Sequence, residues 1–210
     1  MDLPPTLPER LYLLAYDTSR GRLTGRMQLG LVIRAGILGE LLIQGHIKDA
    51  TGGPSVTTGA LADPMLDAVL QQIAASRRRS WQHWVSRGGG KGVRAVRDRL
   101  EAGRWIRVEH RRILGLFPST KVTVRDTRVV KHLVATATAA LRGGVPITRL
   151  HQRDAALAAL AGMARMRTVL PGKEWRAKRR RVDDLAESIA PVPRALRKAI
   201  AAAEAAAAAG

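Results

Sequence analysis

The feature that most constrains the fold is a long apolar segment near the start of the chain, residues 27–44. Its apolar side chains fall on nearly all sides of a helix, a pattern typical of a helix enclosed by other helices. The segment also contains Arg34 and Glu40, so a membrane span built from it would bury charge in hydrocarbon. It therefore predicts the central helix of a helical domain, and any contact of the chain with a membrane is expected to be peripheral.

Arg34 needs a partner on a helix of this kind. A charged side chain that leaves water is stable only when it is paired or hydrogen-bonded. The sequence offers two candidates, which are Glu40, brought to Arg34 by tertiary packing, and the phosphate of a bound ligand. Both interpretations stay open at the level of the sequence.

The charge of the chain indicates a polyanionic partner. Its 210 residues carry a formal net charge of +19 at pH 7. Such a chain is expected to meet either nucleic acid or an anionic lipid surface, and net charge alone does not choose between them. Only seven of the 36 basic residues are lysines, which either favours bidentate contacts with phosphate or reflects the G+C-rich codon usage of a bacterial genome.

No pattern in the sequence indicates catalysis. The chain has no cysteine, and its histidines are scattered without a pair at metal-ligand spacing. The glycine-rich stretch at residues 87–92 lacks the Ser or Thr that follows Gly-Lys in a nucleotide-binding loop. We therefore expect a protein that is not an enzyme and that needs no cofactor or metal.

Periodicity and capping signals predict a mainly α fold, a single-domain helical bundle with short β-hairpins. Residues 34–56 and 94–117 each run from a helix through a glycine into strand-like segments, so two helix-plus-wing units are expected. Asp63 and Asp126 have the position of N-caps of later helices. Residues 87–92 are expected to form a flexible basic loop.

The second half of the chain is expected to be helical. Residues 154–167 read as an amphipathic, alanine-rich helix, and residues 173–189 as another helix. The domain is expected to cover residues 7–190, followed by a proline-broken, alanine-rich tail at residues 191–210. This tail offers little apolar bulk for packing.

Two arginines one helical turn apart, Arg94 and Arg97, are the strongest candidates for an anion site. Side chains at i and i+3 project from one helix face, so both guanidinium groups can converge on one phosphate. The alternative is a solvated helix face on which these arginines pair with the neighbouring Asp98 and Glu101.

The predicted hairpin that follows has an apolar tip beside Arg111 and Arg112. Apolar side chains next to cations suit a surface that presents both negative charge and hydrocarbon, such as a membrane. The alternative is that the tip packs against the bundle, the usual fate of apolar side chains. The residues predicted to insert are Ile113, Leu114, Leu116 and Phe117.

Three segments in this order and spacing resemble the Golgi phosphoprotein 3 family. They are LPERLYLL at residues 7–14, IRAGILGELLIQGHI at residues 33–47 and VRAVRDRL at residues 93–100. The resemblance implies a mainly α-helical bundle with a protruding β-hairpin that binds phosphatidylinositol 4-phosphate at membranes. In eukaryotes the family also recognises the cytoplasmic tails of Golgi glycosyltransferases.

The resemblance also implies which residues form the headgroup site. The family's phosphoinositide arginines fall on Arg34, Arg94 and Arg97, and its membrane-inserting hairpin falls on residues 108–118. A tryptophan of the family's site has no counterpart here, because Gly25 stands near its position with Arg26 beside it. Arg26 is therefore included among the expected headgroup ligands, while specificity for the 4-phosphate stays open.

These observations predict a peripheral membrane protein on the cytoplasmic face of a membrane, acting as an adaptor. The expected partners are an anionic phospholipid surface, the tails of membrane enzymes and a second copy of the chain bound through the hairpin. The rival interpretation is a nucleic-acid-binding protein of winged-helix type, since a chain of charge +19 binds phosphate backbones at low salt. Acidic Asp98 and Glu101 on the Arg94 helix argue against it, because they would repel DNA.

Overall fold

The computed structural model describes residues 1–57, 59–113 and 117–210, and gives residues 111–113 and 117–119 by their backbone alone. Within these residues the chain forms nine α-helices and three two-stranded antiparallel sheets. The expected fold class, mainly α with short β-hairpins, is confirmed. In the described part, no helix has both the length and the apolar character that crossing a membrane requires.

The helices take up most of the chain. They are α1 (Leu7–Leu14), α2 (Arg26–Ile43), α3 (Pro64–Ala74), α4 (Trp81–Ser86), α5 (Gly89–Ala102), α6 (Thr127–Arg142), α7 (Gln152–Met163), α8 (Arg179–Leu185) and α9 (Pro191–Ala209). The paired strands are β1 (Tyr16–Asp17) with β2 (Arg22–Leu23), β3 (Ile47–Ala50) with β4 (Gly53–Val56), and β5 (Ile106–Ile113) with β6 (Phe117–Val124). Short 3-10 helices occur at Ile147–Arg149, Gly172–Glu174 and Glu187–Ile189.

The apolar segment that dominates the sequence forms the central helix, as predicted. α2 contacts α1, α3, α4, α5, α7 and α9, so its surface is covered on most sides. Its residues from Val32 to Leu41 are all buried. Asp63 and Asp126 cap α3 and α6 as expected, since the carboxylate of each accepts a backbone N–H of the following turn.

A buried carboxylate on α2 joins three helices. Glu40 is 0% exposed, and its Oε2 accepts the backbone N–H of Leu7 at the start of α1 at 2.7 Å. Arg153, in the first turn of α7, donates to both carboxylate oxygens, with Nη2 at 2.5 Å from Oε1 and Nε at 3.0 Å from Oε2. Burial alone would raise the pKa of Glu40, but the hydrogen bonds from Arg153, Leu7 and Gln44 lower it overall. The carboxylate therefore stays charged and fixes α1 and α7 against α2.

The two predicted helix-plus-wing units are present and end their helices in the same way. The unit of α2, β3 and β4 has Gly45 at φ 75°, and the N–H of His46 donates to the carbonyl of Leu41 at 2.9 Å. The unit of α5, β5 and β6 has Arg104 at φ 61°, and the N–H of Trp105 donates to the carbonyl of Leu100 at 2.8 Å. Both are Schellman-type ends that turn the chain directly into a strand.

The expectation of a loop over residues 87–92 is wrong, because α5 begins at Gly89. The cause is a close contact between two helices. A Cβ atom on Gly89 would lie 2.8 Å from the carbonyl carbon of Gly30, so the two backbones approach closely only because both residues are glycine. Tertiary packing against α2 thus offsets the poor helix propensity of glycine.

The second half also differs from the sequence prediction. α7 is not amphipathic, since every residue from Ala155 to Met163 is buried among α1, α2, α6, α8 and α9. The predicted helix over 173–189 is replaced by the shorter α8 with a 3-10 helix on either side. The segment from residue 191 is one helix that packs on α2 and α4, with Val192, Leu196 and Ile200 in the core. The two prolines lie in its first turn, where a missing N–H costs little.

Replacing the central carboxylate tests its role. We expect Glu40→Gln to lower the free energy of unfolding by about 3 kcal/mol at pH 7, because it leaves Arg153 without its counter-ion. Since folding lowers the pKa of Glu40 below its ordinary value of 4.5, its contribution is present above pH 4.5 and is lost as the pH falls further. Urea unfolding should therefore show a smaller difference between the two proteins in acid than at pH 7. The control is Glu187→Gln at an exposed carboxylate, expected to change stability by less than about 0.5 kcal/mol.

Alanine substitutions at two adjacent glycines of α5 test the close backbone contact between α5 and α2. Gly89→Ala places a methyl group against the Gly30 backbone and is expected to destabilise the fold by about 1 to 3 kcal/mol. Gly90→Ala meets no atom within 4 Å and is expected to stabilise by up to about 1 kcal/mol through helix propensity. Thermal or urea unfolding would measure both, and a Gly89→Ala variant as stable as Gly90→Ala would contradict the contact.

Candidate functional site

The first turns of α2 and α5 lie side by side at one end of the molecule. Gly30 meets Gly89, and further along both helices Gly92 meets Ile33 and Ile37, so the helices run in the same direction. Glycines in the left-handed conformation, Gly25 at φ 61° and Gly88 at φ 73°, precede their first residues. The positive ends of two helix dipoles therefore lie on the same surface.

Two predicted site arginines, one from each helix, act on the same buried phenol. Tyr12 of α1 is 1% exposed, and burial raises its pKa to about 12, opposed by the positive charges of Arg97 and Arg26. Arg26 is the first residue of α2, and Arg97 lies in the middle of α5. Arg26 and Arg97, which are far apart in the sequence, therefore both lie within electrostatic range of Tyr12.

Of the two arginines on α5, Arg97 has an ion-pair partner, whereas Arg94 has none among the described residues. Arg97 has a side chain 21% exposed and bonds Oδ1 of Asp98 through Nη2 at 2.8 Å and Nε at 3.0 Å. Arg94 is exposed and has no hydrogen-bond or ion-pair partner among the described residues. Glu101, the other acid considered from the sequence, instead accepts the backbone N–H of Val108 at 3.0 Å. Because exposed ion pairs are weak, Asp98 does not prevent Arg97 from binding an anion.

Arg34 is held by neutral acceptors from α3 and α4. It is 3% exposed, and its Nε donates to the backbone carbonyl of Trp84 at 3.0 Å and its Nη2 to Oε1 of Gln72 at 3.0 Å. Its guanidinium carbon lies 6.0 Å from the centroid of the Trp84 ring, within range of a cation–π contact. Burial, and then the positive charge of Arg87, lowers the pKa of Arg34 to about 10, so it stays charged at neutral pH.

The interpretation that Arg34 pairs with Glu40 is therefore wrong, because Glu40 binds Arg153 instead. The hydrogen bonds of Arg34 go to α3 and α4 rather than to α5, so its part in a site with Arg94 and Arg97 stays a prediction. The sequence argument missed Trp84 and Gln72 as partners of Arg34. An aromatic residue is a frequent neighbour of a buried arginine, so Trp84 had a usable signal, whereas Gln72 had none.

An exposed apolar side chain adjoins the arginines and was also missed. Met27 follows Arg26 in the first turn of α2 and is 86% exposed, one of two large apolar residues of the described chain with such exposure. It lies two residues beyond Gly25, where the family's tryptophan is lacking. The only signal for Met27 in the sequence is that it lies near the position of the missing tryptophan.

The predicted hairpin is formed by β5 and β6, which pair over their full length from Ile106 with Val124 to Ile113 with Phe117. Its base is fixed in the core through buried Ile106, Val122 and Val124. The predicted inserting residues Leu114 and Leu116 lie outside the described residues, and Ile113 and Phe117 are described by backbone only. Whether these side chains face a membrane stays a prediction.

Within residues 1–57, 59–113 and 117–210, no three His, Asp or Glu side chains lie close enough to hold a metal ion. What the arginines, the exposed methionine and the two helix starts can do together is attract and bind an anion.

Comparison with known proteins shows to which family the chain belongs. No curated protein matches the chain. The family model described as Golgi phosphoprotein 3 (GPP34) matches residues 7–203, which span α1 to most of α9. Since this match takes in nearly all of the 210 residues, the chain belongs to the Golgi phosphoprotein 3 family.

Proposed function

We propose that the protein is a peripheral membrane protein that binds anionic lipid headgroups at the paired starts of α2 and α5. The observation that carries the proposal is the close, parallel packing of α2 and α5 through Gly30 and Gly89, which places Arg26, Arg94 and Arg97 on neighbouring helices beside two helix dipoles of the same sign. Phosphatidylinositol 4-phosphate is the ligand implied by membership of the family.

The side chains around this surface suit a lipid headgroup rather than a free ion. Arg94 and Lys91 are exposed on the same helix as Arg97, so several cations can reach phosphate oxygens. Met27 is exposed next to Arg26 and would lie at the level where headgroups meet hydrocarbon. Arg34, which is buried, would add its positive charge to the field at the site without contacting the ligand in this conformation.

Electrostatic attraction alone gives reversible binding. Each basic residue near an anionic membrane contributes about 1 kcal/mol, and this contribution is screened by salt. We propose that the β5–β6 hairpin adds a second contact that salt does not screen, through Ile113, Leu114, Leu116 and Phe117. Partial burial of such side chains supplies a fraction of the about 1.5 to 3 kcal/mol that full burial of each would give.

The wider role proposed is that of a non-enzymatic adaptor on the cytoplasmic face of a membrane. Such an adaptor would hold the cytoplasmic tails of membrane enzymes, as the family does in eukaryotes, and would associate with a second copy through the hairpin. Nucleic-acid binding is the rival outcome, and it is built into the first test below as a competitor.

The α5 arginines provide the first test of this function. Arg94→Ala with Arg97→Ala is expected to weaken binding to anionic vesicles at physiological salt by about ten-fold more than Arg179→Ala with Arg180→Ala. Both pairs remove the same charge from exposed or partly exposed positions, but only the α5 pair supplies charge-assisted hydrogen bonds to a phosphate. Vesicle flotation with added DNA would measure this. Equal losses would reduce the site to bulk electrostatics, and displacement of the vesicles by DNA would favour the nucleic-acid function.

The hairpin provides the second test. Leu114→Ser with Phe117→Ser is expected to abolish vesicle binding at high salt and to leave most binding at low salt, since apolar insertion is insensitive to screening. Flotation across a salt series would show this, with circular dichroism to verify that the variant is folded. A folded variant that still binds at high salt would rule out insertion, and an unfolded variant would show that these side chains belong to the core.

A further inference from the structure

A second cluster of arginines lies outside the surface proposed for the headgroup. The linker between α3 and α4 contains three consecutive arginines, residues 77–79, and we call it the basic linker. All three are exposed, and no carboxylate of the described chain pairs with any of them. By contrast, several arginines that pack against the helices have such a partner, as Arg99 has in Glu9 and Asp63.

The basic linker is held in place by the first hairpin. Gly53, at φ 143°, lies so close that a Cβ atom there would be 2.0 Å from the carbonyl oxygen of Arg79. Nη1 of Arg78 donates to the carbonyl of Thr51 at 3.3 Å. At the start of α4 the indole N–H of Trp81 donates to Oδ1 of Asp49 at 2.6 Å. Contacts on both sides therefore fix the linker backbone before any ligand arrives, which reduces the entropic cost of binding.

A cavity of about 350 Å³ opens between this linker and the strand β4. The arginines 77–79 line one side, the hydroxyl residues Ser55 and Ser76 contribute polar groups, and Trp84 forms an apolar wall. None of its described lining residues is acidic. The volume suits a phosphoryl group with a small organic substituent, and the arginines and hydroxyls are donors that phosphate oxygens accept.

A purely structural role for the arginines 77–79 would leave most of their positive charge without a counter-ion. They follow the carboxyl end of α3, whose dipole corresponds to only about half a negative charge. The nearby carboxylate of Asp49 is already bonded by Trp81. The pKa of His83 on α4 is lowered by burial and by the positive charges of Arg79 and Arg87, which agrees with an excess of positive charge on this face.

We infer that the cavity beside the basic linker is a second anion site, which takes a phosphoryl group through the arginines 77–79. It uses none of the residues of the α2–α5 surface and does not depend on the function proposed there. Two sources present this chemistry, a soluble phosphate compound and the headgroup of a lipid.

The test compares Arg77→Gln with Arg79→Gln against Arg179→Gln with Arg180→Gln, an exposed pair of equal charge on α8. Calorimetric titration of the full chain with inorganic pyrophosphate is expected to show saturable binding that weakens about ten-fold or more in the linker variant and not in the control. Arg77→Lys with Arg79→Lys keeps the charge but loses the forked geometry of the guanidinium groups. Its affinity for pyrophosphate is therefore expected to lie between those of the linker variant and the control variant. Thermal unfolding by circular dichroism verifies that each variant is folded.

Three results would overturn the inference: no saturable binding to the wild-type protein, equal weakening in the linker and control variants, or full binding in a folded linker variant. Flotation with phosphatidylcholine vesicles, with and without phosphatidic acid, identifies the source. Loss of both pyrophosphate and vesicle binding in the linker variant indicates a lipid headgroup, whereas loss of pyrophosphate binding alone indicates a soluble ligand. Both measurements are also made in the Arg94→Ala, Arg97→Ala background, where the arginines of α5 no longer contribute, so the binding that the linker substitutions remove there belongs to the cavity beside the basic linker.

Discussion

The fold depends on one buried carboxylate, that of Glu40, whose oxygens accept hydrogen bonds from three separate groups. Glu40 lies in the last turn of the central helix and accepts hydrogen bonds from the first N–H of α1, the side-chain amide of Gln44 just beyond that turn and the guanidinium of Arg153 from α7. A charge buried without these donors would cost several kcal/mol, so α1 and α7 have to dock in this one orientation. The α1 helix carries Tyr12 and contacts both α2 and α5, so the same constraint places that phenol within electrostatic range of Arg26 and Arg97.

The two charged residues of the central helix have opposite outcomes for a geometric reason. Residues six apart on an α-helix point about 120° away from each other, so Arg34 and Glu40 face different neighbours. Glu40 faces helices that supply a counter-ion, whereas Arg34 faces α3 and α4, which supply only an amide, a carbonyl and a ring. The charge of Glu40 is therefore neutralised, whereas Arg34 adds positive charge to the side of the molecule that also carries Arg87.

What the sequence predicted well is what is encoded locally. The apolar pattern of α2 and the aspartate caps of α3 and α6 depend on neighbouring residues only. The errors come from long-range contacts. Gly89 is helical because Gly30 leaves room for it, and α9 is part of the core because one face of its first half packs on α2 and α4, which local propensity cannot show. Likewise no local signal joins Glu40 to Arg153 or brings α2 against α5, so the sequence named the arginines of the candidate site but did not predict how they are arranged.

The distribution of ion pairs decides where a strongly basic chain can be selective. A charge of +19 attracts any polyanion over a Debye length, and this attraction carries no information about the ligand. Within the described residues the acids neutralise arginines that join helices, such as Arg10 with Asp154, Arg153 with Glu40 and Arg197 with Asp183. Arg94 and the arginines of the basic linker have no such partner. Because a guanidinium without a carboxylate keeps donors available for a ligand, unpaired arginines that lie close together can match phosphate geometry, whereas a scattered positive charge adds only to the general attraction for an anionic surface.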